Sequence, residues 1–285
     1  MLTDLELKLK SIEYRKTILR IIKLARAGHT GGDLSSIDIL NVLYNNILNV
    51  SPATFTDPNR DRYVHSKGHC AEALYTVLAD RSFFPSEELN TLCKVQSHLI
   101  GHPTRSVPGI EQNTGALGHG LAVAVGMALA AKLDHRSYRV FTLVGDGELD
   151  EGSNWEASLA AAHYRLDNLI VIIDRNGLQI TGSTETVNPL EPLEDKFRAF
   201  GYIVCEVDGN DTQALNEIFH RIPFFIGKPN LVLAHTIKGK GVSFIENSVK
   251  WHHRVPTDEE YEIAQRELDQ LRTQLEGRSY GIGTS

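Results

Sequence analysis

Cysteine is scarce in this 285-residue chain: Cys70, Cys93 and Cys205 are widely spaced and form no CxxC pair. That excludes a disulfide-stapled secreted module and a cysteine zinc site, and it fits a reducing cytoplasm, the expected location. Long apolar runs are missing too. The longest, Leu121 to Ala131, is 11 residues, against the roughly twenty a membrane-spanning helix requires. The N-terminal MLTDLELKLKS alternates charge with leucine and has no signal-peptide core. There is no block of basic residues, and 29 Lys/Arg against 36 Asp/Glu leave a net charge of −7. Such a surface disfavours nucleic acid and acidic membranes as partners. No repeat or low-complexity tract occurs.

What remains is an ordinary globular composition, 41% apolar and 23% charged, long enough for one large core or two modest ones. Its most informative stretch runs from Arg139 to Gln179. Val140–Val144 and Leu169–Ile173 are short, β-branched, nearly unbroken apolar runs, as expected of strands buried on both faces. Asn154 to Leu166 between them is Ala-rich and helical in character. A strand–helix–strand crossover is parallel and right-handed, so both strands end at the same sheet edge. Gly145-Asp146-Gly147 and Asn176-Gly177-Leu178 stand at those ends. A carboxylate, a carboxamide and a nearby backbone carbonyl suit Mg²⁺ or Ca²⁺, with phosphate and water completing the shell. Gly-Asp-Gly is also a common turn after a strand. The dinucleotide fingerprint G-x-G-x-x-G fails, because its third glycine position is Asp150.

Along the chain, apolar spacing predicts a helix over Leu2–Ala27, closed by Gly28. A glycine-rich loop, Gly28 to Asp33, precedes a helix Ile37–Leu48 capped by Ser35-Ser36. A short strand at Asp61–His65 leads to Ser66-Lys67-Gly68-His69 and a helix Ala71–Asp80. Another helix begins at Pro85-Ser86. Residues 97–120 read as irregular, and Leu121–Lys132 as a helix buried on nearly all sides. Thr181–Lys196 reads as a long polar loop of the kind that serves as a lid or contact surface. Strands at Tyr202–Val207 and Asn230–His235 flank a helix Thr212–Arg221. A basic glycine loop follows at Ile237–Val242. Asp258–Leu275 reads as a polar helix and Glu276–Ser285 as an unstructured tail. The alternation predicts an α/β fold with a doubly wound, mostly parallel sheet flanked by helices.

His29, His69, His102 and His119 each adjoin a glycine in an expected loop, and His252 lies in a turn-like region. Imidazoles there suit proton transfer near neutral pH and anion binding. None has the H-x-x-x-H or H-E-x-x-H spacing of a helical zinc site.

GDG followed about thirty residues later by N-x-L, together with AGHTGG, SKGHCAEALY, GHPT, TGALGHGLAVAVGMALA, IKGKGVSF and WHH, in that order along the chain, resembles the transketolase family over about residues 10–256. The resemblance implies a thiamine diphosphate-binding fold. It implies Asp146, Asn176 and the carbonyl of Leu178 as ligands of Mg²⁺ (or Ca²⁺ or Mn²⁺), and Gly147 and Glu148 beside the diphosphate. Gly115, Ala116 and Leu117 would lie beside the aminopyrimidine, and Glu151 at a subunit interface. His69 and Lys238 would contact the diphosphate. His29, His102 and His252 would surround the reacting sugar carbons, abstracting a proton from a donor hydroxyl and stabilising a carbanion-like intermediate, with His252 also close to the cofactor. Two departures stand out. His119 replaces the family's usual glutamine, and Gly31-Gly32-Asp33 lacks a side chain that often touches the cofactor.

The resemblance covers only the diphosphate half of a transketolase. It implies residues 1–257 as the cofactor-binding domain and 258–285 as a C-terminal helix with a linker-like tail. The chain is then expected to be the N-terminal subunit of a split transketolase. A separate C-terminal subunit would bring the pyrimidine-binding domain and its activating glutamate, in a heterotetramer acting on sugar phosphates. Rival readings are a subunit of another thiamine enzyme, either 1-deoxyxylulose-phosphate synthase-like or a 2-oxo acid dehydrogenase, and a non-catalytic scaffold subunit.

Overall fold

The computed structural model describes residues 1–281, with side chains through Gly277. Its sheet is built from β1 (Arg62–His65), β2 (Val140–Gly145), β3 (Leu169–Arg175), β4 (Ile203–Asp208) and β5 (Asn230–His235). All pairs are parallel, in the spatial order β1-β2-β3-β5-β4. Gly145 lies opposite Asp174, and Asp174 opposite Ala234, so three strand ends line up at one edge.

The helices are α1 (Asp4–Ala25), α2 (Thr30–Val42), α3 (Ala71–Asp80), α4 (His119–Leu133), α5 (Gly152–His163), the single turn α6 (Thr184–Val187), α7 (Leu193–Phe200), α8 (Thr212–His220) and α9 (Asp258–Gly281). Strand side chains alternate between two cores. Phe141, Leu143, Ile170, Ile172 and Val232 pack with α1, α2, α3 and α8. Val140, Val144, Val171, Ile173 and Leu231 pack with α4, α5 and α7. Burial on both faces is why these strands carry unbroken β-branched runs, each such side chain contributing about 1.5–3 kcal/mol. The doubly wound parallel arrangement expected from the sequence is therefore present. No helix among the described residues is long and apolar enough to cross a membrane.

Several local expectations are corrected. α2 begins at Thr30, and Ser35 and Ser36 lie inside it, bonding back to the carbonyl of Gly32 at 2.9 Å rather than capping. Glycines hold the helix start because neighbours crowd it: a Cβ at Gly31 would lie 2.8 Å from the Trp251 carbonyl oxygen, and one at Gly32 would lie 2.5 Å from Cys70 Sγ. After Val42 the chain continues as a π-helical turn, Leu43–Ile47. Ser86–Thr91 is a 3-10 helix that starts after Pro85. α4 is buried on one side only, since Ala122, Gly126 and Ala130 face outward and Leu133 is 70% exposed. The expected long loop 181–196 instead holds α6, capped by Ser183, and the start of α7, whose Leu193 and Phe197 are buried. α9 continues to Gly281, past the expected break at Leu275, supported by an Arg272–Glu276 pair at 2.9 Å. The rest of the expected tail, 282–285, lies outside the described residues. α9 docks along α1 through buried Ala264 and Leu268 and a Lys16–Asp269 ion pair at 2.5 Å.

Candidate active site

Strand ends and their loops converge on a cleft of about 470 Å³. β2 ends in Gly145-Asp146, with Asp146 only 1% exposed. Asp146 Oδ1 accepts the N–H of Gly147 at 2.8 Å, and Oδ2 accepts that of Gly177 at 2.6 Å and Arg175 Nη1 at 3.2 Å. Burial, and then the nearby Asp174 carboxylate, push the Asp146 carboxyl above the usual range, against these donors. From the end of β3, Asn176 Oδ1 accepts the N–H of Leu178 at 3.1 Å. The Leu178 carbonyl accepts Lys238 Nζ at 3.0 Å. Asp146, Asn176 and Leu178 thus stand together at the cleft floor, with Lys238 arriving from the loop after β5.

Gly147 has no room for a side chain, since a Cβ would lie 2.7 Å from Gln179 Oε1. Glu148 lines the same wall, but its carboxylate is committed to protein donors: Ser66 Oγ at 2.5 Å, Gly118 N at 2.9 Å and Gly145 N at 3.0 Å. It braces the β1, β2 and α4 loops behind the cradle. The positive φ of Gly115, +126°, folds the chain against the ring of His102. Gly115, Leu117 and Glu151 line the cleft, whereas Ala116 and His119 face a neighbouring groove.

Above the floor sits a cup of imidazoles. The ring of His29 lies 5.2 Å from His69, 6.4 Å from His102, 5.6 Å from His252 and 4.5 Å from His253. His69 and His252 stack at 5.5 Å. Residues from four separate segments have become one cluster. Burial, then His253 and His102, lower His29 to about 4. Burial, then Lys238, lower His252 to about 3, and burial holds His69 well below the usual range. These three rings are neutral at pH 7. His252 Nδ1 lies 2.9 Å from Lys238 Nζ. An ammonium only donates, so Nδ1 accepts and the proton of His252 resides on Nε2. His69 Nδ1 is buried without a partner.

Sequence reasoning missed the charged layer beneath. Lys67, 1% exposed, pairs with Asp174, 0% exposed, and donates to the Gly32 carbonyl at 3.2 Å. Burial disfavours both charges, yet each holds the other ionised: Asp174 is lowered and Lys67 raised. Asp174 also accepts Ser35 Oγ at 2.6 Å and Asn176 Nδ2 at 3.3 Å, so it orients the carboxamide. Arg175 bridges Asp146 to Thr184 Oγ1 at 2.6 Å, Glu185 at 2.7 Å and Glu191 at 2.9 Å. His253 was missed as well. Its only sequence signal was adjacency to His252, whereas its nearest ring contact, His29, is remote in the chain.

The donor set fits a hard divalent cation with diphosphate. Carboxylate, carboxamide and carbonyl oxygens share the floor, a lysine stands beside them, and an orphaned imidazole nitrogen lies above. Among the described residues no three His, Cys, Asp or Glu side chains are arranged to hold a metal. A metal here would therefore depend on amide and backbone oxygens and on ligand phosphate.

Comparison with known proteins agrees with this picture. Residues 10–272 match the family described as transketolase, thiamine diphosphate binding domain. The chain is 50% identical to one of the apulose-4-phosphate transketolase subunits, that of Phocaeicola vulgatus, over 96% of its own length and 98% of the relative's. It is 44% identical to the 6-deoxy-6-sulfo-D-fructose transketolase subunit SqwG of a Clostridium species, covering 90% and 93%. The crystal structure of transketolase from Campylobacter jejuni superposes with a TM-score of 0.87 at 30% identity, covering 96% of this chain and 46% of that one. The chain thus spans nearly all of the two subunits and less than half of the solved transketolase.

Proposed function

The chain belongs to the transketolase family, within which it is a thiamine diphosphate-binding domain, and from that premise we propose that it is the cofactor-diphosphate subunit of a two-chain transketolase. The complex would move a two-carbon ketol unit from a ketose phosphate donor to an aldose phosphate acceptor. The observation that carries this reading is the convergence of the Asp146–Asn176–Leu178 floor with the imidazole cup in one cleft. Residues 1–257 form the cofactor domain in this reading, with α9 docked on it.

Asp146, Asn176 and the Leu178 carbonyl would hold Mg²⁺, with Ca²⁺ or Mn²⁺ as substitutes, and Gly147, His69 and Lys238 would receive the diphosphate. When bound, thiamine diphosphate supplies the nucleophilic carbon and electron sink that carbon–carbon cleavage needs. The chain's own residues manage protons. His29, neutral at pH 7, accepts a proton from a donor hydroxyl, and His252 offers Nε2–H as a hydrogen-bond donor to oxygen. His102 closes the outer side of the cup. Gly115 and Leu117 form the wall beside the pyrimidine, while Glu151, exposed at the rim, faces the partner protein. Ala116, outside the cleft, contributes backbone.

A separate subunit carrying the pyrimidine-binding domain completes the site, in a heterotetramer. The support is that a relative named as a subunit matches this chain over almost its whole length. The sugar cup favours ketoses over 2-oxo acids, and apulose 4-phosphate, named for that relative, is the first donor to try. Co-produced with such a partner, thiamine diphosphate and Mg²⁺, the chain is expected to transfer ketol units. Turnover by the chain alone, or turnover of pyruvate but no ketose, would overturn the reading.

A further inference from the structure

Asp33 and Glu72 are buried, at 0% and 1% exposure, in the first turns of α2 and α3. Asp33 Oδ1 accepts the N–H of Ala73 at 2.9 Å. Asp33 Oδ2 and Glu72 Oε2 have no partner as long as both groups are acceptors only. Asp33 thus sits at the amide of the residue that follows Glu72, and each carboxyl keeps one buried oxygen without a donor, a need that a proton held by the pair would meet.

Their location gives the pair a task. The amides of Gly32 and Asp33 both bond to the carbonyl of His29, so His29 is the N-cap of α2. A Cβ on Gly28 would lie 2.9 Å from Glu72 Oε1, so Glu72 packs directly beneath the residue before His29. Glu72 also follows His69 closely in the chain, at the start of the next helix. The pair therefore joins the loops carrying two rings that stand 5.2 Å apart.

We propose that Asp33 and Glu72 share one proton as a buried carboxyl pair that positions His29 against His69, and that loss of this proton loosens the histidine cup at alkaline pH. Burial raises both carboxyls, and the groups facing them offer little relief. Lys67 faces Asp33 but is committed to Asp174, while Cys70, Cys93 and Tyr75 are neutral. Because the folded state binds the proton more tightly than the unfolded chain does, the stability this proton confers is complete in acid and lost as pH rises.

The effect on turnover rests on the proposed function; the shared proton itself does not. Glu72→Gln keeps a donor toward Asp33 that cannot be removed. It is expected to reduce the fall in thermal midpoint of the full chain between pH 7 and 9. In the two-chain enzyme it is expected to retain about tenfold more of its neutral-pH kcat/KM at pH 9 than wild type does, the factor that one pK unit represents. Identical pH dependence in wild type and Glu72→Gln would overturn the proposal. Carbon-13 carboxyl NMR of the wild-type chain, assigned against Asp33→Asn, decides the case even where Glu72→Gln fails to fold. A protonated carboxyl in the pair at pH 7 is expected, and two ionised carboxylates there would overturn it. Absence of turnover by the wild-type complex would refute the transketolase reading instead, with the stability and NMR arms still deciding the proton.

Discussion

Lys238 Nζ lies 3.0 Å from the carbonyl oxygen of Leu178, joining the loop after β5 to the loop after β3 at the floor of the cleft. A buried ammonium held there is placed to meet a diphosphate. Lys238→Met is therefore expected to weaken thiamine diphosphate binding about 10- to 100-fold, the range of a lost charge-assisted hydrogen bond. Equilibrium titration of the holo-complex checks this. Unchanged affinity would assign Lys238 a purely structural role.

Lys67 and Asp174 test the layer beneath. Both are fully buried, so Lys67→Met leaves an uncompensated carboxylate and should cost about 3–5 kcal/mol of stability. Lys67→Met combined with Asp174→Asn should recover much of it, since the stranded charge is gone. Chemical denaturation of the wild type, the two single variants and the double variant measures the coupling.

The sheet and its polar ends were legible in the sequence because strands buried on both faces must be β-branched, and because Gly-Asp-Gly and Asn-Gly-Leu close them. The histidines were legible as glycine-flanked loop residues. The Lys67–Asp174 pair was not, since it joins positions far apart in the chain and follows no local period. The start of α2 was misread because Gly31 and Gly32 look like a loop. Only the packed Trp251 carbonyl and Cys70 sulfur explain glycine inside a helix. The resemblance places Glu148 beside the diphosphate, and Glu148 does line the cleft, but its three protein donors join distant segments and carry no sequence signal.

The lowered histidines give the chain a signed acid response. His29, at about 4, and His252, at about 3, bind protons more weakly folded than unfolded. Stability should therefore rise with pH from about 3 to about 6.5 and be lost as pH falls through that window. His29→Asn with His252→Asn should flatten the dependence of the thermal midpoint on pH between 5 and 7, read by calorimetry of the cofactor-free chain. A double variant as acid-sensitive as wild type would contradict the assignment.

His253 is exposed at the rim, with its ring 4.5 Å from His29. Replacing it with alanine should alter the KM for the sugar donor several-fold and leave cofactor affinity within about twofold, as suits a rim contact outside the diphosphate floor. Steady-state kinetics with two donors, beside a cofactor titration, separates these effects.

Asp146 carries the central claim, that this chain supplies the metal–diphosphate half of the site. The most direct measurement is calorimetric titration of thiamine diphosphate into the complex of this chain with the proposed pyrimidine-domain subunit, with Mg²⁺ and again with the metal chelated. The account predicts Mg²⁺-dependent binding at one site per copy of this chain, lost with chelator and in Asp146→Ala. Equal binding without metal, or binding undiminished in Asp146→Ala, would contradict it.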